Sequence, residues 1–147
     1  MLFRSLEFVR NPREHADLAA DASRRWGIRA PAPDEPQLVH QTFEYAVLTT
    51  ALVEAAARHP DWIIVRHEDL CRDAPVGLRE LAEHVGLVWT DSADRFVRES
   101  DRDGAGFATD RVTSAQPDRW RERLTSADVA LVRSVLDDFP LVTLADP

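Results

Sequence analysis

Lysine is absent from this sequence of 147 residues, and all 18 basic residues are arginine, which excludes any chemistry that needs a lysine. The single cysteine, Cys71, cannot form an internal disulfide or a cysteine-rich zinc site, so we expect a reducing, cytosolic setting. Charged residues interrupt the first twelve positions, where a signal peptide would need an apolar core. The most apolar stretch, residues 46–57, is too short to span a bilayer. These absences predict a soluble, unsecreted protein.

Apolar and charged residues are both plentiful. The sequence is 44% hydrophobic and 30% charged, which is enough apolar material for a single domain with a real core. The net charge of −8 argues against a nucleic-acid partner, because such proteins carry a basic footprint. A local basic pocket for a small anion remains compatible with this charge.

Hydrophobic periodicity predicts an α/β domain that is mostly helical by content. Residues 2–9 and Trp62–Val65 have the uniform apolar character of strands covered on both faces of a parallel sheet. Helical spacing with cap residues predicts five helices, over about 12–26, from a cap at Asp34 to about Arg58, between Asp73 and Gly86, over Asp91–Glu99, and from Thr125 to Pro140. Strands alternating with helices indicate a parallel sheet flanked by helices.

Two strands are too few for such a sheet, because a strand buried on both faces needs neighbours. The first predicted strand also begins directly at Met1. We therefore expect the sheet to be incomplete in this chain. It would be completed either by an N-terminal half or by strands from another chain.

Arg10 is the first candidate for a binding role. It follows the first predicted strand and precedes a helix start, and ligands of parallel sheets bind at the carboxyl ends of strands. A helix N-terminus offers free N–H groups, and the arginine fork matches a phosphate. The alternative is a solvated Arg10 that pairs with Glu14.

The second candidate is the cluster His67, Glu68 and Asp69, which follows the second predicted strand. A carboxylate pair beside a histidine suits acid–base chemistry, and the cluster with His84 could also ligate a metal. The spacing is not diagnostic of a metal site, so we predict none. In the alternative, the two carboxylates bond the backbone of the turn and the ring of His67 packs flat.

A third cluster follows a glycine-bearing loop and consists of Arg111, Arg119, Trp120, Arg121 and Arg123. Arginines interleaved with an aromatic residue can clamp a phosphate or a nucleotide. In the alternative, this is a surface turn with the Trp120 ring in the core.

One stretch of a known family reads "V-R-Y-E-D-L … D-P … L … L … F-L-G-L". The run that begins at Trp62 resembles it, with Arg66-His-Glu-Asp-Leu70, then Asp73-Ala-Pro75, and finally Gly86-Leu87. That stretch belongs to sulfotransferases that use 3′-phosphoadenosine 5′-phosphosulfate (PAPS). Residues 8–13 resemble the family's "V-R-D-P-R" segment, and residues 119–124 are similar to its C-terminal "W-R … L" turn. The three matches occur in the family's order and correspond to the C-terminal part of a full family domain. The resemblance implies a partial P-loop-NTPase-like sheet.

The resemblance also implies residue roles. The arginine of "V-R-D-P-R" binds the 3′-phosphate of PAPS in the family, which gives that role to Arg10. His67 stands where relatives place a tyrosine near the adenine, and Arg111 is the nearest counterpart of a basic loop that holds the 3′-phosphate. Leu18 departs from the pattern, because the family usually has a phosphate-binding serine there.

By the same resemblance, the family's phosphosulfate-binding loop and its catalytic base precede the segment that Arg10 matches. The implied function is sulfuryl transfer from PAPS to a small hydroxyl or amine acceptor, with an incomplete site in this chain and no catalytic residue assigned. The alternative is a non-catalytic remnant of the fold that acts as an interaction module with a second copy or a complementing chain. Another phosphate-handling α/β enzyme, such as a nucleotide kinase relative, needs a glycine-rich phosphate loop and a lysine, and the sequence has neither.

Overall fold

The computed structural model describes residues 12–103 and 112–141, and the ordered elements in these ranges are helices. The predicted α/β fold with a parallel sheet is therefore wrong for the described part of the chain, which contains no strand. The described residues fall into two compact units, one formed by residues 12–63 and 124–141 and the other by residues 64–103 and 112–123. We call them unit 1 and unit 2.

Unit 1 contains three α-helices, α1 (Pro12–Trp26), α2 (Gln37–Arg58) and α6 (Ser126–Leu136). α1 ends where the sequence predicts, because Gly27 takes the left-handed conformation (φ 71°) that a side chain disfavours. α6 begins with a complete capping box between Thr125 and Asp128, also as predicted. The capping box predicted at Asp34 is wrong, since α2 begins after Pro36 without a side-chain cap.

The core of unit 1 lies where one face of α2 packs against α1 and the residues that follow α6. Phe139 lies edge-on to Trp26 and to Phe43, with ring centroids 6.2 Å and 5.7 Å apart. The fully buried members of this core are Ala22, Phe43, Ala46, Val47 and Phe139. Three of them, Phe43, Ala46 and Val47, lie on one face of α2 at the helical spacing from which the sequence predicts this helix, whereas the sequence did not single out Ala22 and Phe139 as core residues.

A polar clip joins α1 to α2 beside that core. The carboxylate of Glu54 accepts a hydrogen bond of 2.6 Å from Nε1 of Trp26 and a second from the guanidinium of Arg25. These bonds lower the pKa of Glu54, first through the indole N–H and then through Arg25. The clip fixes the orientation of the Trp26 ring that Phe139 meets.

Unit 2 contains α3 (His67–Arg72), α4 (Ala74–His84) and α5 (Asp91–Ser100), followed by two short 3₁₀ turns, Thr113–Ala115 and Arg119–Glu122. The sequence predicts the start and the end of α4 correctly. The side chain of Asp73 accepts a hydrogen bond from the Val76 N–H, and Gly86 (φ 76°) closes the helix. The N–H of Leu87 then bonds the carbonyl of Ala82, and that of Gly86 bonds Glu83, which is a Schellman motif.

Asp94 joins α5 to α4. Its carboxylate accepts hydrogen bonds from Arg79 of α4 at 2.8 Å, from Arg98 at 2.7 Å and from the Trp89 indole at 3.4 Å. The pKa of Asp94 is accordingly lowered, with the Arg98 bond as the largest cause. The prediction of a helix over Asp91–Glu99 is confirmed. Its large apolar residue Phe96 does not lie in a core, because 70% of the residue is exposed.

The predicted buried strand Trp62–Val65 is also wrong. These four residues carry no strand assignment, and between 41% and 55% of each is exposed. A strand exists only when a neighbour pairs with its backbone groups, and no described residue pairs with this run. The other predicted strand, residues 2–9, lies outside the described residues.

In the ranges 12–103 and 112–141, none of the helices combines the length and the apolar character needed to cross a membrane.

Candidate functional site

His67 is the only one of the three predicted cofactor-binding residues that lies within the described ranges; Arg10 and Arg111 lie outside them. His67 is the first residue of α3 and is exposed. The preceding Arg66 has an extended backbone (φ −82°, ψ 128°), so the chain passes from an extended segment directly into the helix at this histidine. Acidic residues in the first turn, Glu68 and Asp69, favour that start.

The His67 imidazole contacts a buried thiol. The Sγ atom of Cys71 lies 3.3 Å from Nε2 of His67 and 3.8 Å from its Nδ1. The two residues are four apart on one helix, a spacing that places side chains on the same face. Cys71 is only 4% exposed, whereas the histidine faces solvent.

The environment of Cys71 keeps the thiol protonated. Burial raises the pKa of Cys71, and the negative charge of Glu68 raises it further. A thiol of this kind is a poor nucleophile, because the thiolate is the reactive form. It remains a hydrogen-bond donor, and the sequence offered one signal for the contact, the His67–Cys71 spacing of four, which is informative only once the helix is known.

The two carboxylates of the cluster do not converge with His67 on a metal site. Asp69 lies 3.2 Å from a guanidinium nitrogen of Arg72 and 3.9 Å from Nε of Arg66. Across the described ranges, no group of three His, Cys, Asp or Glu side chains is arranged to hold a metal ion. Asp69 therefore forms ion pairs, whereas the alternative interpretation had its carboxylate bonding the backbone of the turn.

The arginine cluster around Trp120 falls on the second 3₁₀ turn. The guanidinium of Arg121 lies 4.4 Å from the centroid of the Trp120 ring, and its Nε donates to Asp118 at 2.7 Å. Trp120 is half-buried. Its burial therefore lies between the two alternatives, a ring packed in the core and an exposed ring that binds a phosphate or nucleotide together with the arginines. Arg121 is thus held by its neighbours, while Arg119 and Arg123 form no ion pair within the part of the chain that the structure describes.

No orphaned polar group marks a ligand position in these ranges. Every buried side-chain nitrogen or oxygen of the described residues has a hydrogen-bond partner. The candidate site is therefore defined by the exposed ring of His67 and the thiol beneath it.

Comparison with known proteins adds no relative: no protein-family model, no curated protein and no solved structure matches this chain.

Proposed function

We propose that this chain is a member of the PAPS-dependent sulfotransferase family and carries the nucleotide side of the sulfuryl-transfer site. The observation that carries the proposal is the order of three sequence segments around Arg10, His67 and Trp120, which is the order of the family's motifs. In this proposal Arg10 binds the 3′-phosphate, His67 meets the adenine, and Arg111 assists at the phosphate. The acceptor is a small hydroxyl or amine compound, and the setting is the cytosol.

The local structure around His67 supports the middle segment of the proposal. The histidine is exposed at the point where an extended segment enters a helix, which leaves its ring accessible to a base. The charges beside it balance, because Glu68 and Asp69 are offset by Arg66 and Arg72. Balanced charge suits an uncharged base better than a phosphate, which agrees with the adenine role of His67 that the resemblance implies. We assign no catalytic base, because no residue of this sequence matches the family's base.

The test is calorimetric titration with adenosine 3′,5′-bisphosphate and with adenosine 5′-monophosphate, which lacks the 3′-phosphate. Replacing Arg10 by alanine removes charged hydrogen bonds worth about 1.5–3 kcal/mol, so we expect about 10- to 100-fold weaker binding of the bisphosphate. The variant should also lose the preference for the bisphosphate. Arg24→Ala is the matched control, since Arg24 is an exposed arginine in the last turn of α1. Equal bisphosphate binding by the wild type and Arg10→Ala would remove the role of Arg10.

The exposed run Trp62–Val65 favours a second candidate, a non-catalytic module that associates with a second copy of the chain. Four consecutive large apolar residues at 41–55% exposure form an unusual surface for a monomer. Size-exclusion chromatography with light scattering should then show dimers whose fraction rises with concentration. Ile64→Ser should abolish these dimers. The control Val88→Ser, at a more exposed apolar residue, should leave them unchanged. A monomer at every concentration would exclude self-association through this run.

A further inference from the structure

Helix α2 carries apolar residues on two opposite faces. One face holds Phe43 and Val47 and packs in the core of unit 1. Successive residues turn by about 100° around a helix, so Tyr45, Leu48 and Leu52 lie on the other side of α2. These three residues are 43%, 52% and 62% exposed. A helix with apolar residues on both sides is ordinarily covered on both, so the composition of this second face predicts a partner.

The spacing on the second face indicates that the partner is a helix. Six uncharged residues recur along it at alternating intervals of three and four positions. They are Leu38, Gln41, Tyr45, Leu48, Leu52 and Ala55, and we call them the outer stripe. Alternation of this kind is the pattern of a coiled coil, in which the side chains of one helix insert between those of another.

The charges at the two ends of the outer stripe favour a second copy of the chain in antiparallel orientation. Glu35 precedes α2 and Arg58 ends it, and both are exposed. The outer stripe has its midpoint between residues 46 and 47, and Glu35 and Arg58 lie equally far from that midpoint. When two antiparallel copies overlap along the whole stripe, Glu35 therefore faces Arg58 of the second copy, and Tyr45 faces its Leu48. A parallel pair would place like charges together instead.

The exposed area is sufficient for a stable dimer. The outer stripe is followed four positions on by His59, whose ring stacks on Trp62 with centroids 4.8 Å apart, and Trp62 is 50% exposed. At about 200 Å² for a whole large side chain, Trp62 and the three exposed residues of the outer stripe present about 400 Å² of apolar surface per copy. Since about 60% of an interface is apolar, a pair of copies would bury about 1,300 Å² in total, which is the size of a specific interface.

We propose that α2 is a self-association surface on which a second copy of this chain binds, with the two outer stripes packed as antiparallel helices. The inference rests on the second candidate function, self-association, and names the helix that makes the contact. It is independent of the nucleotide site, because no residue of the outer stripe belongs to that site.

Light scattering of the protein across a concentration series tests the apolar contact. Leu48→Gln keeps a side chain that favours a helix and removes the apolar contact, twice in each dimer. We expect the dissociation constant of the dimer to rise at least about tenfold. Phe96→Gln is the matched control, since Phe96 is an exposed apolar residue of α5 outside the outer stripe, and it should dimerise like the wild type. Circular dichroism checks that each variant keeps its helices.

Charge reversal tests the orientation. Glu35→Arg places a positive charge opposite Arg58, and Arg58→Glu places a negative charge opposite Glu35. Each variant alone should dimerise about three- to tenfold more weakly than the wild type. An equimolar mixture of the two should recover the wild-type affinity as heterodimers. The double variant, which exchanges the two signs within one chain, should also dimerise like the wild type.

Each contrary outcome removes a different part of the inference. A wild type that stays monomeric across the series leaves the outer stripe to a different partner and overturns both this inference and the second candidate function. Dimers that are lost in Ile64→Ser but unchanged in Leu48→Gln keep self-association and overturn the role of α2. Equal affinities of the wild type and both single charge variants overturn the antiparallel orientation. Titration with the nucleotide decides the sulfotransferase proposal separately.

Discussion

Phe139 is the residue whose removal most directly tests the core of unit 1. It is 4% exposed and meets the rings of Trp26 and Phe43 edge-on. An enclosed phenylalanine removes about 200 Å² from water, which at about 25 cal/mol per Å² corresponds to about 5 kcal/mol. The methyl group that alanine retains and the partial burial in the denatured chain reduce this, so we expect Phe139→Ala to cost about 3–4 kcal/mol.

Phe96 provides the matched control, because the same substitution there removes a ring that is 70% exposed. We expect Phe96→Ala to change the free energy of unfolding by no more than about 0.5 kcal/mol. Urea unfolding followed by circular dichroism measures the free energy of unfolding of both variants, and hydrogen exchange shows which helices lose stability. In Phe139→Ala, exchange should rise in α2 and α6. Similar costs for the two substitutions would refute the burial assigned to each ring.

Three further outcomes test other parts of the structure. Hydrogen bonds from Trp26 and Arg25 lower the pKa of Glu54 in the folded protein. The ionised Glu54 carboxylate therefore stabilises the fold above the ordinary carboxyl pKa, and this stabilisation is lost as the pH falls through the lower pKa of the folded state. Urea midpoints measured between about pH 6 and pH 3 should fall more steeply in the wild type than in Glu54→Gln, and parallel curves would contradict the clip. Thr125→Ala removes the capping box with Asp128 and should cost about 1 kcal/mol in urea unfolding, whereas an unchanged midpoint would show that the cap contributes nothing. Above about pH 5, the Thr125→Ala cost should not vary with pH, because the pKa of Asp128 is lowered by its bonds to Thr125 and the carboxylate stays charged.

Most of the helices could be predicted because residues within or next to each helix end determine where the helix begins and ends. Gly27 and Gly86 adopt the left-handed conformation at the ends of α1 and α4, and Asp73 and Thr125 cap α4 and α6. Each signal acts within a few residues of the helix end. The short α3 was missed, although the acidic residues of its first turn and Arg72 in its last turn fit a helix.

The strands were not predictable in the same way. The apolar, β-branched run Trp62–Val65 has the composition of a buried strand, but composition does not supply the neighbour whose N–H and C=O groups complete a ladder. Pairing is a non-local property, and no described residue provides it. In the candidate site, the residue types around His67 were identified from the sequence, whereas its contact with the buried Cys71 required the helix that brings them together.

The arrangement around Asp94 makes α5 unequally tolerant of change. Successive residues turn by about 100° around a helix, so with Asp94 facing α4 the side chain two positions on, Phe96, is carried to the far side. Two guanidinium groups and an indole converge on a single acceptor. Substitution of a single donor removes one of these bonds, whereas substitution of Asp94 removes all three, including the Arg79 bond that joins α5 to α4.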